Sequence, residues 1–439
     1  MRVDRVIIIG AGVAGLYAAH LLRSRSVPVM VLEAADRAGG RVKSLAGFAA
    51  FPIELGAEEL HGERSLSYSL ARAQGLPLRP CRERQYLWSD LCTGRRARLR
   101  EDDPDVTIAQ RFYDALPSFQ GEDVPLSQAL AGLPPRAREL LCAILGNEYG
   151  ADSERLGMQA LSAAETAWQR QGTRNYVLDG VPLLQLFAEE ASQVLLGRVV
   201  TEVDWRGPEV LVTTRGGERF TAEQVVLTVP LPVLRDGDIA FKPPLPADKL
   251  HATRRIGVGP VLKILLRFTH GIWPSRRSSL TLMGAPHAPQ MWSCGQRGLE
   301  PDRILTAFVS GRAAEALLAL GSRGLPTLLS ELDRALPALG KRRPSCALAD
   351  HFIQDWSAEP FVRCGFSYPT LGSAPLRETL ARPLQRPDSQ RPSLAFAGEA
   401  THARLFGSLQ GALLSAERAV AELSPQAPDK AYTFQRKIP

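Results

Sequence analysis

The first 33 residues contain a strand–turn–helix–strand pattern that constrains the fold more than any other stretch. A β-branched run, Arg5-Val6-Ile7-Ile8-Ile9, ends in Gly10-Ala11-Gly12-Val13-Ala14-Gly15, and apolar residues then recur at helical spacing. The glycines predict a sharp turn at Gly10, approach of backbone N–H groups to a pyrophosphate at Gly12, and close helix packing at Gly15. A second apolar run ends in Glu33. Its spacing in sequence from the glycine motif is that of a carboxylate that binds the ribose hydroxyls of an adenine dinucleotide. The pattern therefore predicts a βαβ dinucleotide-binding unit.

The stretch after Glu33 indicates which dinucleotide is bound. The segment Asp36-Arg37-Ala38-Gly39-Gly40-Arg41 resembles an extension of flavoprotein oxidases of the glutathione-reductase type. In those proteins the Gly-Gly-Arg segment wraps the FAD pyrophosphate, and nicotinamide dehydrogenases lack it. The resemblance implies that Gly40 and Arg41 bind FAD. A surface loop with two turn glycines and solvated arginines is the alternative.

Length and composition are those of a globular protein. The chain has 439 residues, 45% hydrophobic and 23% charged, which predicts two or three domains. The net charge of +7 is too diffuse to indicate nucleic-acid binding. Six cysteines stand without CxxC pairs or a histidine cluster, so no metal site or disulfide framework is expected. With no run of about 18 apolar residues, we expect a soluble, cytoplasmic protein without a membrane span.

Two segments in the middle of the chain are candidates for the substrate pocket. Glu54-Leu55-Gly56-Ala57-Glu58-Glu59-Leu60-His61-Gly62 resembles the segment of amine oxidases that passes beside the flavin ring, which implies roles for Glu58 and His61. A structural role is the alternative for the histidine. The apolar strand Val261-Leu262-Lys263-Ile264-Leu265-Leu266 resembles the GxxxK strand of the same enzymes, whose lysine holds a water against flavin N5. A snorkelling strand residue is the alternative for Lys263.

The last third of the chain carries the strongest resemblance. Cys364-Gly365-Phe366-Ser367-Tyr368-Pro369 resembles the segment that stands an aromatic residue over the flavin, Phe396-Ala397-Gly398-Glu399-Ala400-Thr401 resembles the final cofactor-binding strand and turn, and Ser408-Leu409-Gln410-Gly411 opens a helix towards the ring carbonyl. The order of these segments resembles the flavin-containing amine oxidase family of monoamine oxidases, polyamine oxidases and lysine-specific histone demethylases. The resemblance implies cofactor contacts from Gly398, Glu399, Ser408 and Leu409.

Two departures from the family pattern concern the flavin and the aromatic cage. Monoamine oxidases attach FAD to a cysteine immediately before the upright aromatic residue, where this chain has Gly365, and Cys364 lies one position further away. Non-covalent FAD is therefore expected. The second upright aromatic residue aligns with Ser408, and the neighbouring Phe406 and Tyr368 are candidates to replace it.

The order of strand and helix patterns predicts an α/β fold with a discontinuous domain. Strand patterns return near residues 198–229, after a helical stretch at about 105–195. We expect a Rossmann-like FAD-binding domain of the glutathione-reductase type from residues 1–80, 195–235 and 385–425, with Val203 pairing its backbone with the adenine. A substrate domain with a mixed sheet and a helical insertion would comprise 81–194 and 236–384, followed by a flexible tail at 426–439. Glu148 and Asp152 in the helical stretch are interpreted as solvated acids rather than substrate ligands.

The resemblance implies an FAD-dependent oxidase that converts an amine to an imine and returns electrons to oxygen as hydrogen peroxide. Lys263 and Phe366 are the implied catalytic residues, and the expected partners are a small amine and molecular oxygen. The alternatives are an oxidase or desaturase of a porphyrin or carotenoid, or an FAD-binding protein without activity. The half-missing aromatic cage leaves polyamines, amino acids and peptide-borne amines as candidate substrates.

Overall fold

The predicted strand–glycine–helix–strand unit lies at the centre of a large sheet. The computed structural model describes residues 4–81, 84–89, 96–98, 103–272, 279–294, 303–336 and 343–423, so the predicted tail at 426–439 lies outside it. Strand Asp4–Ile9 leads into helix Val13–Ser24, and the chain returns as strand Val29–Leu32. The two strands pair in parallel. This is the βαβ arrangement that the glycine pattern predicts.

The first sheet collects strands from distant parts of the chain. It has eight strands. Seven follow one another in a single order, and the eighth, Leu394–Phe396, pairs in parallel with Arg219–Leu227. From edge to edge, the other strands are Val194–Leu195, Val29–Leu32, Asp4–Ile9, Arg219–Leu227, Val210–Thr214, Val200–Asp204 and Ala240–Lys242. All three segments predicted to form the FAD-binding domain contribute strands. The sheet also extends past residue 235, because Ala240–Lys242 adds an edge strand to Val200–Asp204.

Helices cover one face of the first sheet, and an antiparallel hairpin extends it. Helix Leu409–Leu423 packs beside helix Val13–Ser24 over the central strands, burying Leu413 and Val420 completely. Strands buried on both faces read as continuous apolar runs, as Val6 to Ile9 do. The turn that joins Val210–Thr214 to Arg219–Leu227 has Gly217 at φ +81°, as its glycine pair predicts.

The second sheet is mixed and has seven strands. From edge to edge these are Leu348–Asp355, Val261–Phe268, Ile304–Ser310, Gln290–Ser293, Ser279–Met283, Arg84–Ser89 and Arg96–Arg98. Helices Gly311–Ala319 and Gly324–Ala335 contribute buried leucines to a core against this sheet. A central position makes Val261–Phe268 almost entirely buried, which puts Lys263 inside the protein.

A helical layer fills the stretch predicted to be helical. Its main helices are Pro104–Ala115, Pro135–Tyr149 and Met158–Gln169, and the middle one ends at Gly150 in the left-handed conformation with φ +73°. The remaining helices are Leu66–Ala73, Leu126–Ala129, Ala188–Ser192, Leu231–Arg235, Ala247–Arg255, Pro344–Ala347 and Leu376–Ala381. Short strand pairings are Ser44–Leu45 with Ile53–Glu54, Gly257–Val258 with Ser367–Tyr368, and Asn175–Leu178 with Leu60–His61 and Leu78–Pro80. Across the described part of the chain, no helix is both long and apolar enough to cross a bilayer.

Replacing Gly15 by alanine should destabilise the fold. A Cβ at this position would lie 2.0 Å from the backbone oxygen of Gly10, so the helix and the strand would have to separate. We expect Gly15→Ala to cost about 3 kcal/mol, in the upper range for overpacking, and to lower the thermal unfolding midpoint of the cofactor-free protein. The control is Gly132→Ala, where a Cβ meets nothing within 4 Å. Equal midpoints for the two variants would contradict the close-packing role.

Candidate active site

Both sheets and the helical layer border one large cavity. Its volume is about 1200 Å³, somewhat above the ~300–1,000 Å³ typical of small-molecule sites. A cavity of this size suits a dinucleotide together with a substrate. The sequence-predicted site residues that line it are Gly10, Gly12, Glu33, Gly40, Arg41, Glu58, His61, Lys263, Phe366, Gly398, Glu399, Phe406, Ser408 and Leu409.

One end of the cavity is formed by the glycine turn and two helix N-termini. Gly10 has φ +103°, and a Cβ on Gly12 would project into open space, with nothing within 4 Å. Helices Val13–Ser24 and Leu409–Leu423 both begin at the cavity wall. Helix N-termini present free N–H groups and a partial positive charge, which favours phosphate. The open cradle at Gly12 fits a pyrophosphate.

Glu33 holds the glycine turn as well as lining the cavity. Its carboxylate accepts the backbone N–H of Ala11 at 2.6 Å and that of Ala35 at 2.9 Å. The Gly-Gly-Arg segment is joined to the same turn, because the Gly39 N–H donates to the Ala11 carbonyl at 2.8 Å. The acid and the glycine segment therefore form a single rigid end of the cavity. This end has the shape and donors that an adenine dinucleotide requires.

The carboxylate of Glu399 joins three segments of the chain in the interior. Its Oε1 accepts from Arg41 Nη1 at 2.8 Å, and its Oε2 accepts from Ser367 Oγ at 2.6 Å and from the Gly407 N–H at 2.8 Å. Burial opposes ionisation, but Arg41 and Arg377 together with the Ser367 hydrogen bond hold the pKa of Glu399 below its usual value. Arg41 also donates to the Gly365 carbonyl at 3.0 Å. The arginine of the Gly-Gly-Arg segment is thus fixed beside the aromatic segment.

Aromatic side chains form the walls at the other end of the cavity. Phe366 stacks on Phe308, with ring centroids 6.4 Å apart and planes at 18°, and Phe406 contacts Tyr149 at 6.0 Å. Trp292 continues the first wall at 6.1 Å from Phe308. A Cβ on Gly150 would lie 2.7 Å from the ring of Phe366, so the helix that ends there must stop in glycine to seat this ring. These rings give this end of the cavity apolar walls.

Lys263 forms a buried ion pair inside the cavity. Its ammonium donates to Glu58 Oε2 at 2.7 Å and to the Gly56 carbonyl at 3.4 Å, and the residue is 2% exposed. The nitrogen also lies 5.9 Å from the Trp292 ring centroid. A buried ammonium needs such a partner, and the interpretation of Lys263 as a snorkelling residue is wrong. Its predicted role in holding a water stays a prediction.

Carboxylates gather at the far end of the cavity beside the aromatic walls. Glu148 is exposed to the cavity but surrounded by protein on its other sides, and this desolvation raises its pKa to about 8, with Glu165 and Glu59 adding to the shift. Glu165 lies behind it and accepts from Tyr149 and Tyr113 at 2.6 and 3.0 Å. His61 lines the same region and packs edge-on against Trp168 at 5.4 Å. This end of the cavity therefore attracts cations.

The structure corrects two sequence-predicted site residues. Val203 is fully buried in the sheet and does not line the cavity, whereas Val200 does, because the cavity opens at the beginning of that strand and a bulge follows Val200. Tyr368 is also off the cavity: its ring covers Gly257, its partner across the short strand pair. It therefore cannot replace the missing wall of the aromatic cage, and Phe406 can.

Two acids predicted to be solvated have different environments. Asp152 accepts the Arg312 backbone N–H at 3.1 Å and lies off the cavity. Glu148 is exposed and lines the cavity, so its carboxyl group can meet a substrate bound there. Gly150, after Glu148 and Tyr149, indicates that a helix ends there. Tertiary packing decides whether that end faces the cavity or the outer surface, so the sequence alone does not show it. Trp292 and Phe308, which also line the cavity, have no local sequence signal of a site.

Gly15 and Ser408 act on the cavity through the backbone. Gly15 does not line the cavity and lies directly beneath Gly10, as its predicted packing role requires. Ser408 caps the helix Leu409–Leu423: its Oγ donates to the Leu405 carbonyl at 2.6 Å and accepts the Gly411 N–H at 3.0 Å. Among the described residues, no group of three or more His, Cys, Asp or Glu side chains is placed to hold a metal ion.

Comparison with known proteins agrees with this geometry. The profile of the family described as flavin containing amine oxidoreductase matches residues 13–424. Polyamine oxidase 2 of Arabidopsis thaliana is 28% identical over 94% of this chain and 86% of its own length. Lysine-specific histone demethylase 2 of Homo sapiens is 27% identical over 95% of this chain, which spans about half (53%) of the demethylase. A structure of putrescine oxidase bound to putrescine shares the fold, with a TM-score of 0.80 and 22% identity over 96% of this chain and 98% of that one.

Gly12→Ala should remove cofactor binding without unfolding the protein. The added Cβ meets no protein atom within 4 Å and would occupy the space where the pyrophosphate is expected. We expect the FAD dissociation constant to rise by about tenfold or more, equivalent to ~1.4 kcal/mol, while the unfolding midpoint of the cofactor-free protein stays within 2 °C, roughly the shift for less than 1 kcal/mol. Flavin fluorescence titration measures the affinity. Unchanged FAD affinity would show that the pyrophosphate binds elsewhere.

Proposed function

Because the chain belongs to the family of flavin-containing amine oxidoreductases, we propose that it is an FAD-dependent oxidase that converts an amine to an imine and passes the electrons to oxygen, forming hydrogen peroxide. The observation that carries this proposal is the continuity of the cavity, which runs from the glycine turn to the aromatic walls and carboxylates. Bound FAD would accept the hydride equivalent from the carbon next to the amine nitrogen. The protein supplies binding, orientation and exclusion of water.

The walls of the cavity favour an uncharged reacting amine. Phe366 and Phe406 present apolar surface, and a charged ammonium placed between them would lose hydration that cation–π contacts of about 0.5–2 kcal/mol do not fully replace. The ion pair of Lys263 with Glu58 provides a fixed polar group in the same region, with one N–H of the ammonium left to hold a water or a substrate atom. These residues would orient the amine while leaving its nitrogen neutral.

The substrate class we propose is an amine that carries a second, cationic group. Glu148 and Glu59 line the same cavity as the aromatic walls, on other elements of the chain. A distal ammonium would offset the mutual repulsion of Glu148, Glu59 and Glu165. The names of the similar proteins, polyamine oxidase and putrescine oxidase, agree with this class. A carotenoid would leave these carboxylates buried against hydrocarbon, which is unfavourable.

We propose that FAD is held without a covalent bond. A Cβ on Gly365 would lie 2.1 Å from Val261 Cγ2, so this position has no room for the attaching cysteine of monoamine oxidases. Cys364 is 1% exposed, and burial raises the pKa of its thiol to about 11, which disfavours the nucleophilic thiolate.

The proposed function predicts a yellow protein that amines bleach. Acid should release free FAD into the supernatant, and anaerobic addition of a diamine should remove the flavin absorbance near the visible maximum. A colourless protein that FAD cannot reconstitute would contradict flavin binding. Flavin that stays with the denatured chain would contradict the non-covalent attachment, and a yellow protein that no amine reduces would indicate the inactive alternative.

The charge state of Glu148 should make selection for diamines depend on pH. Its raised pKa of about 8 means that the carboxyl group ionises as the pH rises from 7 to 9, and only the ionised form attracts a distal ammonium strongly. We therefore expect kcat/KM for a diamine, divided by kcat/KM for the matching monoamine, to rise over this range by about tenfold, a difference of ~1.4 kcal/mol. Taking the ratio cancels the deprotonation of the reacting nitrogen, which both substrates share.

Glu148→Gln should flatten this pH dependence. Glu139→Gln is the matched control, because Glu139 is exposed on the same helix and does not line the cavity. The control should keep the wild-type profile. A rise in the ratio that survives Glu148→Gln would exclude Glu148 as the group that binds the distal cation.

A further inference from the structure

Arg377 is a buried guanidinium that lies behind the aromatic walls without lining the cavity. It belongs to helix Leu376–Ala381 and is 1% exposed. Its guanidinium carbon lies 3.9 Å from the centroid of the Phe406 ring. Its Nη1 donates to Ser367 Oγ at 2.7 Å and to the Ala400 carbonyl at 3.1 Å. The face of Phe406 opposite Arg377 is therefore available to the cavity.

These contacts connect Arg377 to both aromatic walls. Ser367 directly follows Phe366 in the chain, and Arg377 fixes the hydroxyl that Ser367 donates to Glu399. Gly407 directly follows Phe406, and its N–H donates to the same carboxylate. The guanidinium thus contacts Ser367, which follows Phe366, and also the ring of Phe406.

The contacts of Arg377 do not look like those of a group that stabilises the fold. Its Nε and Nη2 are buried and have no hydrogen-bond acceptor among the described residues. Burial lowers the pKa of Arg377 to about 10, and the attraction of Glu399 only partly opposes this. A buried charge that is incompletely paired often costs stability compared with an apolar residue of similar volume. A stabilising role therefore does not account for it.

We infer that Arg377 is a positioning residue, which sets the separation and orientation of Phe366 and Phe406 and so determines how an amine is held between them. This inference rests on the proposed function for its consequence, although the placement of the rings can be tested without any substrate. Arginine suits the role because its planar guanidinium can stack on a ring while its N–H groups donate hydrogen bonds in the guanidinium plane. A lysine at this position would keep the charge and lose the planar contact.

The test uses two substitutions of Arg377 and one matched control. Arg377→Met removes the charge and the donors, and Arg377→Lys removes only the planar geometry. Arg418→Met is the control, because Arg418 donates to the Ala381 carbonyl of the same helix and to the Phe396 carbonyl without touching either wall. A loss of helix anchoring alone would affect the control as well.

Fluorine NMR of protein labelled with 4-fluorophenylalanine gives the first readout. The chain has 15 phenylalanines, and Phe406→Leu identifies the Phe406 signal by its absence. We expect both Arg377 variants to shift the Phe406 signal by more than its line width, because the cation over the ring is removed or displaced, and Arg418→Met to leave it in place. FAD affinity, measured by titration, should change less than about threefold, which is below 1 kcal/mol.

Anaerobic reduction by a bound amine gives the second readout. The limiting reduction rate should fall by about tenfold in both Arg377 variants, within the ~10²-fold that a misplacement of 1 Å costs. It should stay at the wild-type value in Arg418→Met. A failure of every amine to reduce the wild-type protein would refute the proposed function, while the fluorine signal would still decide the placement of the rings.

Three results would overturn the inference. One is a Phe406 signal that stays unshifted in Arg377→Met, and another is an equal shift in Arg418→Met. The third is unfolding of both Arg377 variants while Arg418→Met stays folded, which would assign Arg377 a structural role.

Discussion

The buried carboxylate of Glu399 is the interaction on which the arrangement of the site depends. It accepts donors from the Gly-Gly-Arg segment, from the segment of Phe366 and from the segment of Phe406. These three segments are far apart in sequence, so their relative positions are fixed by this group rather than by local structure. Removing the carboxylate would leave Arg41 without its ion pair and several donors unsatisfied, which costs far more than the net strength of the bonds. The carboxylate of Glu399 is therefore the shared acceptor through which the cofactor end and the substrate end of the cavity are joined.

The two ends of the cavity have opposite electrostatic character. The glycine turn and the two helix N-termini give a positive end, where a pyrophosphate is stabilised. Glu59, joined by Glu148 once that group ionises near pH 8, gives a negative end, where a cationic amine is stabilised. Lys263 neutralises Glu58 between these ends. One cavity can thus bind an anionic cofactor and a cationic substrate at once, because its positive and negative groups are carried by different elements.

The cofactor end was predictable from sequence because its determinants are local. The turn at Gly10, the open position at Gly12 and the close packing at Gly15 follow from residues within one βαβ unit. The substrate end was less predictable because it depends on which way side chains turn after packing. Val203 lies off the cavity and Val200 lines it, because the cavity opens at the beginning of this strand and a bulge follows Val200. The position of Glu148 on the cavity was not predictable, because nothing local reveals that the end of its helix faces the cavity.

Two fully buried basic residues, Lys249 and Arg377, differ in how completely they are paired. Lys249 is 2% exposed, and its ammonium donates to three backbone carbonyls, those of Thr379, Leu380 and Arg382. All of its donors are used, and it anchors the helix that carries Arg377. Arg377 is just as buried, yet two of its nitrogen atoms have no acceptor in the described part of the chain. Such a group destabilises the fold, because its hydrogen bonds do not offset the free-energy cost of removing the guanidinium from water. Incomplete pairing beside an aromatic wall therefore distinguishes a residue that serves the site from one that serves the fold.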